Sequence, residues 1–173
     1  MNNILIPRNL DSRIEKQKQI DYQRIQEYIK NGSKGILDLD GTPLTKLPDN
    51  LTKIGGSLTI YNSSIEDLNN LEVIKGSLYA DNSKLKSLPP KLTRIEYGLS
   101  VPKCPIDNIN DLGYIGGNLY MDNTNISELP EGLRVGGFLY CRNTPLSKRF
   151  SDESSLGEYL KERHITVKKG ISF

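Results

Sequence analysis

The stretch GGNLYMDNT, residues 116–124, alternates apolar and polar letters: Leu119 and Met121 flank Tyr120, and Asp122 follows. Alternation with a period of two marks a strand with one face turned to a core. The phrase is not unique. A near-copy, GGFLYCRNT, occupies 136–144, and a looser one, KGSLYADNS, occupies 75–83. A strand phrase that recurs at a fixed interval points first to an internal repeat.

Aligning Leu37, Leu58, Leu78, Leu99, Leu119 and Leu139 gives steps of 21, 20, 21, 20 and 20 residues. Two residues on stand Leu39, Ile60, Ala80, Val101, Met121 and Cys141; seven on stand Leu44, Ile65, Leu85, Ile106, Ile126 and Leu146. Ten on stand Leu47, Leu68, Leu88, Ile109 and Leu129. Leu51, Leu71, Leu92, Leu112 and Leu133 follow, then Ile54, Ile74, Ile95, Ile115 and Val135. All six columns stay apolar and in phase through five full units and a truncated sixth, which chance does not produce.

A period near 20 leaves no room for a helix in each unit. Each strand phrase ends in turn-favouring Asn, Gly, Thr or Ser. Pro48, Pro89 and Pro130 suit an extended return. Gly55–Gly56, Gly116–Gly117 and Gly136–Gly137 are expected to make a tight bend before the next strand.

The pattern L-x-L-x-x-[T/S/C]-x-L-x-x-L-P-x-x-L resembles the leucine-rich repeat in its shortest, LP-containing form of about twenty residues, as in bacterial effectors. The G-G-x-L variant with its NTPLSKRFSDE ending is most similar to small repeat proteins of phages and prophages. The resemblance covers roughly residues 35–150. It implies a solenoid with short parallel strands on a concave face, an irregular extended convex side and few helices. Typical units carry Asn or Cys five residues after the first Leu. Here that column reads Thr42, Ser63, Ser83, Cys104, Thr124 and Thr144, so a hydroxyl ladder is expected in place of the Asn ladder.

A solenoid needs capped ends. The chain is read as one domain: an N-terminal helical cap over 1–34, repeats over 35–146 and a C-terminal helix-plus-strand cap over 147–173. Residues 11–30 read as the first helix, with Asp11 or Ser12 as N-cap and Gly32 near its end. Ile14, Tyr22, Ile25, Tyr28 and Ile29 form one apolar stripe. Ser151 or Asp152 opens a second helix whose inner face is Leu156, Tyr159 and Leu160. HITVKKGISF then alternates, and Lys169–Gly170 is expected to turn a small hairpin.

Composition narrows the function. A net charge of +2 argues against nucleic-acid binding by bulk phosphate attraction. No apolar run is long enough to span a membrane, and the N-terminus lacks the pattern of a secretory signal. Two cysteines make no disulfide framework, so a reducing cytoplasm is the expected compartment, that of the host cell if the chain is phage-encoded. His164 is the single histidine and sits at a helix end. Cys104 and Cys141 fall in packing columns. The chain is therefore read as non-enzymatic, with no metal or cofactor expected.

What remains is the outward face of the strands. Side chains that alternate with the core leucines fall into three columns. One before the Leu stand Ile36, Ser57, Ser77, Gly98, Asn118 and Phe138. One after stand Asp38, Thr59, Tyr79, Ser100, Tyr120 and Tyr140; three after stand Asp40, Tyr61, Asp81, Pro102, Asp122 and Arg142. Tyrosine supplies contact area and a polar tip, and is common in binding hot spots. Asp38, Asp40, Tyr61, Tyr79, Asp81, Tyr120, Asp122, Phe138, Tyr140 and Arg142 are the candidate partner-binding residues. Cross-strand stacking of the tyrosines is the competing explanation. The fourth unit, EYGLSVPKCP, is locally bare, a recess or simple drift. The expected partner is another protein with a basic or mixed surface, not nucleic acid or membrane. The resemblance sharpens this to a phage-encoded inhibitor of a bacterial defence protein. A small-molecule, nucleotide or carbohydrate binder on the same face and a virion component are the alternatives.

Overall fold

The computed structural model describes residues 8–173; residues 1–7 of the expected N-terminal cap lie outside them. The chain winds as a parallel β-solenoid with two sheets, one on each side of the core. The first sheet has seven strands in chain order: β1 (Leu37–Asp38), β3 (Leu58–Thr59), β5 (Leu78–Tyr79), β7 (Leu99–Ser100), β9 (Leu119–Tyr120), β11 (Phe138–Tyr140) and β13 (Gly170–Ser172). The aligned leucines pair directly, Leu37 with Leu58, Leu78 with Leu99 and Leu99 with Leu119. The second sheet has six strands: β2 (Lys53–Ile54), β4 (Val73–Ile74), β6 (Arg94–Ile95), β8 (Tyr114–Ile115), β10 (Arg134–Val135) and β12 (Thr166–Val167). The last apolar column of each repeat thus lies on a paired strand, so the return side is more regular than expected.

The repeat columns are the core. Members of every apolar column are buried, from Leu37 to Leu146, apart from a half-buried Leu44 packed against the rest. Each side chain stacks on its counterparts in the coils before and after, so few apolar residues suffice to fill a continuous interior. The hydroxyl ladder is present: Thr42, Ser63, Ser83, Cys104, Thr124 and Thr144 are all buried. Their polar atoms are satisfied locally. Thr124 and Thr144 donate to Met121 O and Cys141 O, both at 2.7 Å, and Cys104 Sγ donates to Ala80 O.

The residue before each ladder member explains the recurrent Asn. Asn62, Asn82, Asn123 and Asn143 all have φ between 53° and 59°, the left-handed region that Asn tolerates better than most residues. Gly41 occupies the same place in the first coil and Lys103 in the fourth. The side chains also line up, Asn82 donating to Asn62 and Asn143 to Asn123. A second device alternates along the return side. Where the first, third and fifth coils carry Pro48, Pro89 and Pro130, the second and fourth carry Asn69 and Asn110. Both asparagines have positive φ, and their amides donate to Leu47 O and Leu88 O of the preceding coil.

The paired glycines serve close approach and not a special bend, since neither φ in any of the three pairs is positive. A Cβ on Gly136 would stand 2.2 Å from Gly116 O, and one on Gly55 would stand 2.2 Å from Ser33 O. Backbone of one coil lies directly on backbone of the next at these points.

The N-terminal helix α1 (Arg8–Lys30) starts earlier than expected, so Asp11 lies in its first turn and Ser12 follows inside the helix; neither is the N-cap. Only its C-terminal half covers the core. Ile25 is fully buried, and Tyr28 and Ile29 pack against the first coil. Ile14 and Tyr22, expected on the packed stripe, are exposed: Ile14 lies in the half of the helix that does not cover the core, and Tyr22 lies to one side of the face that Asp21 and Ile25 bury. A residue the stripe did not include, Asp21, is buried instead. It accepts Thr42 Oγ1 at 2.6 Å and Gln17 Nε2 at 3.0 Å, which terminates the hydroxyl ladder. Arg24 Nη1 donates to Asp38 O at 2.9 Å and occupies the free edge of β1.

At the other end a 3₁₀ turn (Ser147–Arg149) leads to α2 (Glu153–Glu162). Asp152 is its N-cap and forms a reciprocal box with Ser155. Leu156 and Leu160 are buried, as the inner face requires. His164 closes the helix at φ 57° and is exposed. The expected hairpin is absent. β12 and β13 fall in different sheets and both pair in parallel, β12 with β10 and β13 with β11. The C-terminal segment has no antiparallel partner to pair with and instead continues the winding by one more coil.

Three substitutions test this packing. Gly136→Ala is expected to lower unfolding stability by about 1–3 kcal/mol through the coil contact. Gly157→Ala, on α2 with open space around the new methyl, is expected to raise it by about 0.5–1 kcal/mol. Asp21→Ala strands the buried Thr42 hydroxyl and is expected to cost about 1–3 kcal/mol. Urea unfolding reads all three; a neutral Gly136→Ala would show that the coils yield freely at the glycine columns.

Candidate functional site

The first sheet turns its non-core side outward, and its seven strands make a face about 29 Å across. All ten candidate residues lie on it or at its margins. They are not equivalent.

The tyrosines form two groups. Tyr61 and Tyr79 stack at 5.9 Å between ring centroids, with planes 20° apart. Tyr120 and Tyr140 stack more closely, at 4.5 Å and 11°, and Phe138 leans on Tyr140 at 6.0 Å. Cross-strand stacking therefore does stabilise the sheet, as the competing explanation holds. Tyr120 and Phe138 are each still 37% exposed. The Tyr61 hydroxyl is pushed to a higher pKa, first by desolvation and then by the nearby charges of Asp81 and Asp40.

Most of the aspartates are engaged with the backbone. Asp40 Oδ1 accepts the N–H of Tyr61 in the next coil at 2.8 Å, and Asp122 Oδ1 accepts the N–H of Arg142 at 2.7 Å. Asp38 Oδ1 accepts Asp40 N–H and Thr59 Oγ1. Each acid thus bridges adjacent coils at the exposed end of a strand. Asp81 is the exception. Its counterpart in the next coil is Pro102, which has no N–H to give. Asp81 Oδ2 is shut off from water and has no hydrogen-bond partner.

The column before the leucines repeats the device with smaller groups. Ser57 Oγ accepts Ser77 N–H and Ser77 Oγ accepts Gly98 N–H, both at 3.0 Å. Asn118 Oδ1 accepts Phe138 N–H at 2.9 Å, while its amide donates to the Tyr120 hydroxyl at 2.7 Å. Gly98 offers no side chain to continue this ladder. Two residues read as outward are in fact buried, Ser77 and Ser100, because the larger neighbours on either side cover them. Asn118, in register with Ser57 and Ser77 among the outward residues, thus positions Tyr120.

Arg142 is the one cation in these columns; it is exposed, and its Nη2 donates to Ser172 Oγ at 3.0 Å. Charge on the face is thus predominantly acidic, against a chain whose net charge is +2.

The remaining reactive groups lie elsewhere. Both cysteines are buried and unpaired. Burial pushes the Cys141 thiol up to about 12, helped by Asp122 and Glu153. Cys104 is raised by burial too, partly offset by its contact with Ser83. A thiol held protonated is a poor nucleophile. Among the described residues no group of three or more His, Cys, Asp or Glu is placed to hold a metal ion, and no helix is long and apolar enough to cross a membrane. The native protein is expected to resist Ellman's reagent at about pH 8 and to release both thiols on denaturation; rapid labelling of Cys141 in the folded state would contradict the buried thiol.

No protein-family model, curated protein or solved structure matches the chain, so the geometry of this face is what bears on its function.

Proposed function

We propose that the protein is a non-catalytic binding module that holds another protein against its seven-stranded face. One observation carries this reading. Two aromatic groups, Tyr61/Tyr79 and Tyr120/Tyr140/Phe138, and four aspartates share one open sheet surface, in whose outward columns Arg142 is the one cation. The stacking of the rings accounts for sheet stability, but it leaves their edges, hydroxyls and outer rims available. Rigid, pre-stacked aromatics lose little entropy on binding, which favours them as anchors. The face also exceeds the roughly 800 Å² that a partner of standard size covers on each side only if its flanks join in, so a segment or a domain edge suits it better than a broad flat surface.

The acidic bias selects a basic or mixed partner surface. Inhibition of a bacterial defence protein is the sharpest form of the proposal and rests on the resemblance of the repeats alone. A partner is to be captured by tagged full-length protein from bacterial lysate and identified by mass spectrometry. Replacing Tyr120 and Tyr140 together by Ala is then expected to weaken its binding by at least roughly 30-fold, as loss of a hot spot does, while the circular dichroism spectrum stays unchanged. A purified partner that binds the double variant with its original affinity removes this face from the function.

A further inference from the structure

Each end of the solenoid leaves a sheet edge whose N–H and C=O groups have no further coil to pair with. At the first end Arg24 covers the edge of β1. At the last end β13 closes the strand order and pairs on one side only, with β11. Along this sheet the core-column residues direct their N–H to the next coil, as Leu37 does to Ser57 O and Leu39 to Thr59 O. Ile171 stands in register with Leu139, so its N–H points off the end of the sheet, as does that of Phe173 two residues on. Residues 170–173 are only half-buried. The sheet thus ends in a short edge open to one more strand.

Two hollows flank that edge, and they differ in chemistry. Between α2 and the last coil lies one of about 710 Å³, lined by Leu160, Val167, Ile171 and Gly157 among others, where the charges of Glu153 and Lys161 balance. It occupies the place where the apolar side chains of a further coil would stack. The second, of about 360 Å³, lies at the far end of the strand. There Phe150 and Phe173 meet Arg142 and Lys148, and no acidic residue lines the wall. Among the described residues neither cation forms an ion pair. Arg142 Nη2 already reaches β13, donating to Ser172 Oγ at 3.0 Å. Its guanidinium therefore stands one strand spacing, roughly 4.8 Å, from any strand added beyond. Two uncompensated cations beside apolar rings attract an anion, a carboxylate above all through the guanidinium fork.

We infer that the open edge of β13 receives the C-terminal tail of another protein as an added parallel strand, its apolar side chains entering the hollow beside α2 and its terminal carboxylate resting on Arg142 and Lys148. Backbone pairing supplies affinity in such an addition, and the hollow and the carboxylate supply selection. The direction follows from the cations, since a strand parallel to β13 finishes where they stand. A second copy of this chain suits the edge less well. Paired about a two-fold axis it would run antiparallel and set Arg142 and Lys148 of one copy against Lys168 and Lys169 of the other, all of one sign. The site lies at the end of the solenoid, apart from the tyrosine face, and does not depend on the reading of that face.

The test uses the full chain, isotope-labelled, and the acetylated peptide Ser-Thr-Ile-Thr-Leu as free acid and as C-terminal amide. The free acid is expected to shift the amides of Ile171 and Phe173 saturably and to slow hydrogen exchange at Ile171 N–H. The amide is expected to bind at least about ten-fold more weakly, as is the free acid of Ser-Thr-Ser-Thr-Ser, which lacks the apolar side chains. Arg142→Gln together with Lys148→Gln is expected to weaken the free acid about ten-fold and to leave the amide unchanged, with the circular dichroism spectrum intact. Gly157→Leu narrows the apolar hollow and is expected to weaken both. Absence of localised shifts, equal affinity for acid and amide, or unchanged binding by the double variant overturns the site. Protection of Ile171 that rises with protein concentration in the absence of peptide gives the edge to a second copy and overturns it too. The Tyr120 and Tyr140 double variant is expected to bind the peptide normally; loss of binding there moves the tail to the tyrosine face and removes it from β13.

Discussion

Hydrogen bonding between successive coils sets each residue roughly 4.8 Å from its counterpart one turn away. Leu37 N–H donates to Ser57 O, Leu58 N–H to Ser77 O, Leu78 N–H to Gly98 O and Leu99 N–H to Asn118 O, all within 2.9–3.0 Å. Everything else in the molecule answers to that spacing. A side chain at any position must pack against its own equivalents above and below. Leucine and isoleucine do so in the core, and hydroxyls and one thiol do so in the buried turn. At the paired glycines backbone lies on backbone, and a Cβ on Gly116 would stand 2.0 Å from Glu96 O. The ends follow from the same constraint. A coil without a neighbour leaves its ladder open, and Asp21, Arg24 and the strands β12 and β13 supply the missing partners.

This explains what could be read from the letters. Apolar columns repeat because stacking is cooperative along the axis, so Leu119 and its equivalents announced both the strand and the core. The turn hydroxyls were legible for the same reason. The second sheet was not, because two-residue strands such as Val73–Ile74 carry too few letters to alternate. Asp21 escaped notice because a lone acid on an amphipathic helix looks solvent-facing until its partner, Thr42, is brought across from the first coil. The hairpin was expected from Lys169–Gly170, yet a local turn signal yields to an open parallel edge when a whole coil's worth of hydrogen bonds lies in reach.

On the face, sequence located the tyrosines and acids correctly but could not divide their labour. Stacking partners are set by ring orientation, which no column of letters reports. The aspartates were the larger surprise in chemistry. Asp40 and Asp122 do for the edge of the sheet what an N-cap does for a helix, lending a carboxylate to a backbone N–H of the next coil. Their presence on the face thus has a structural reason, and acidity alone does not mark a residue as functional.

The same reasoning shows what the fourth coil lacks. A rung with proline cannot use an acid before it, and an enclosed carboxylate oxygen without a partner opposes folding. With Pro102 in place of an N–H donor, Asp81 Oδ2 is left an enclosed carboxylate oxygen without a partner.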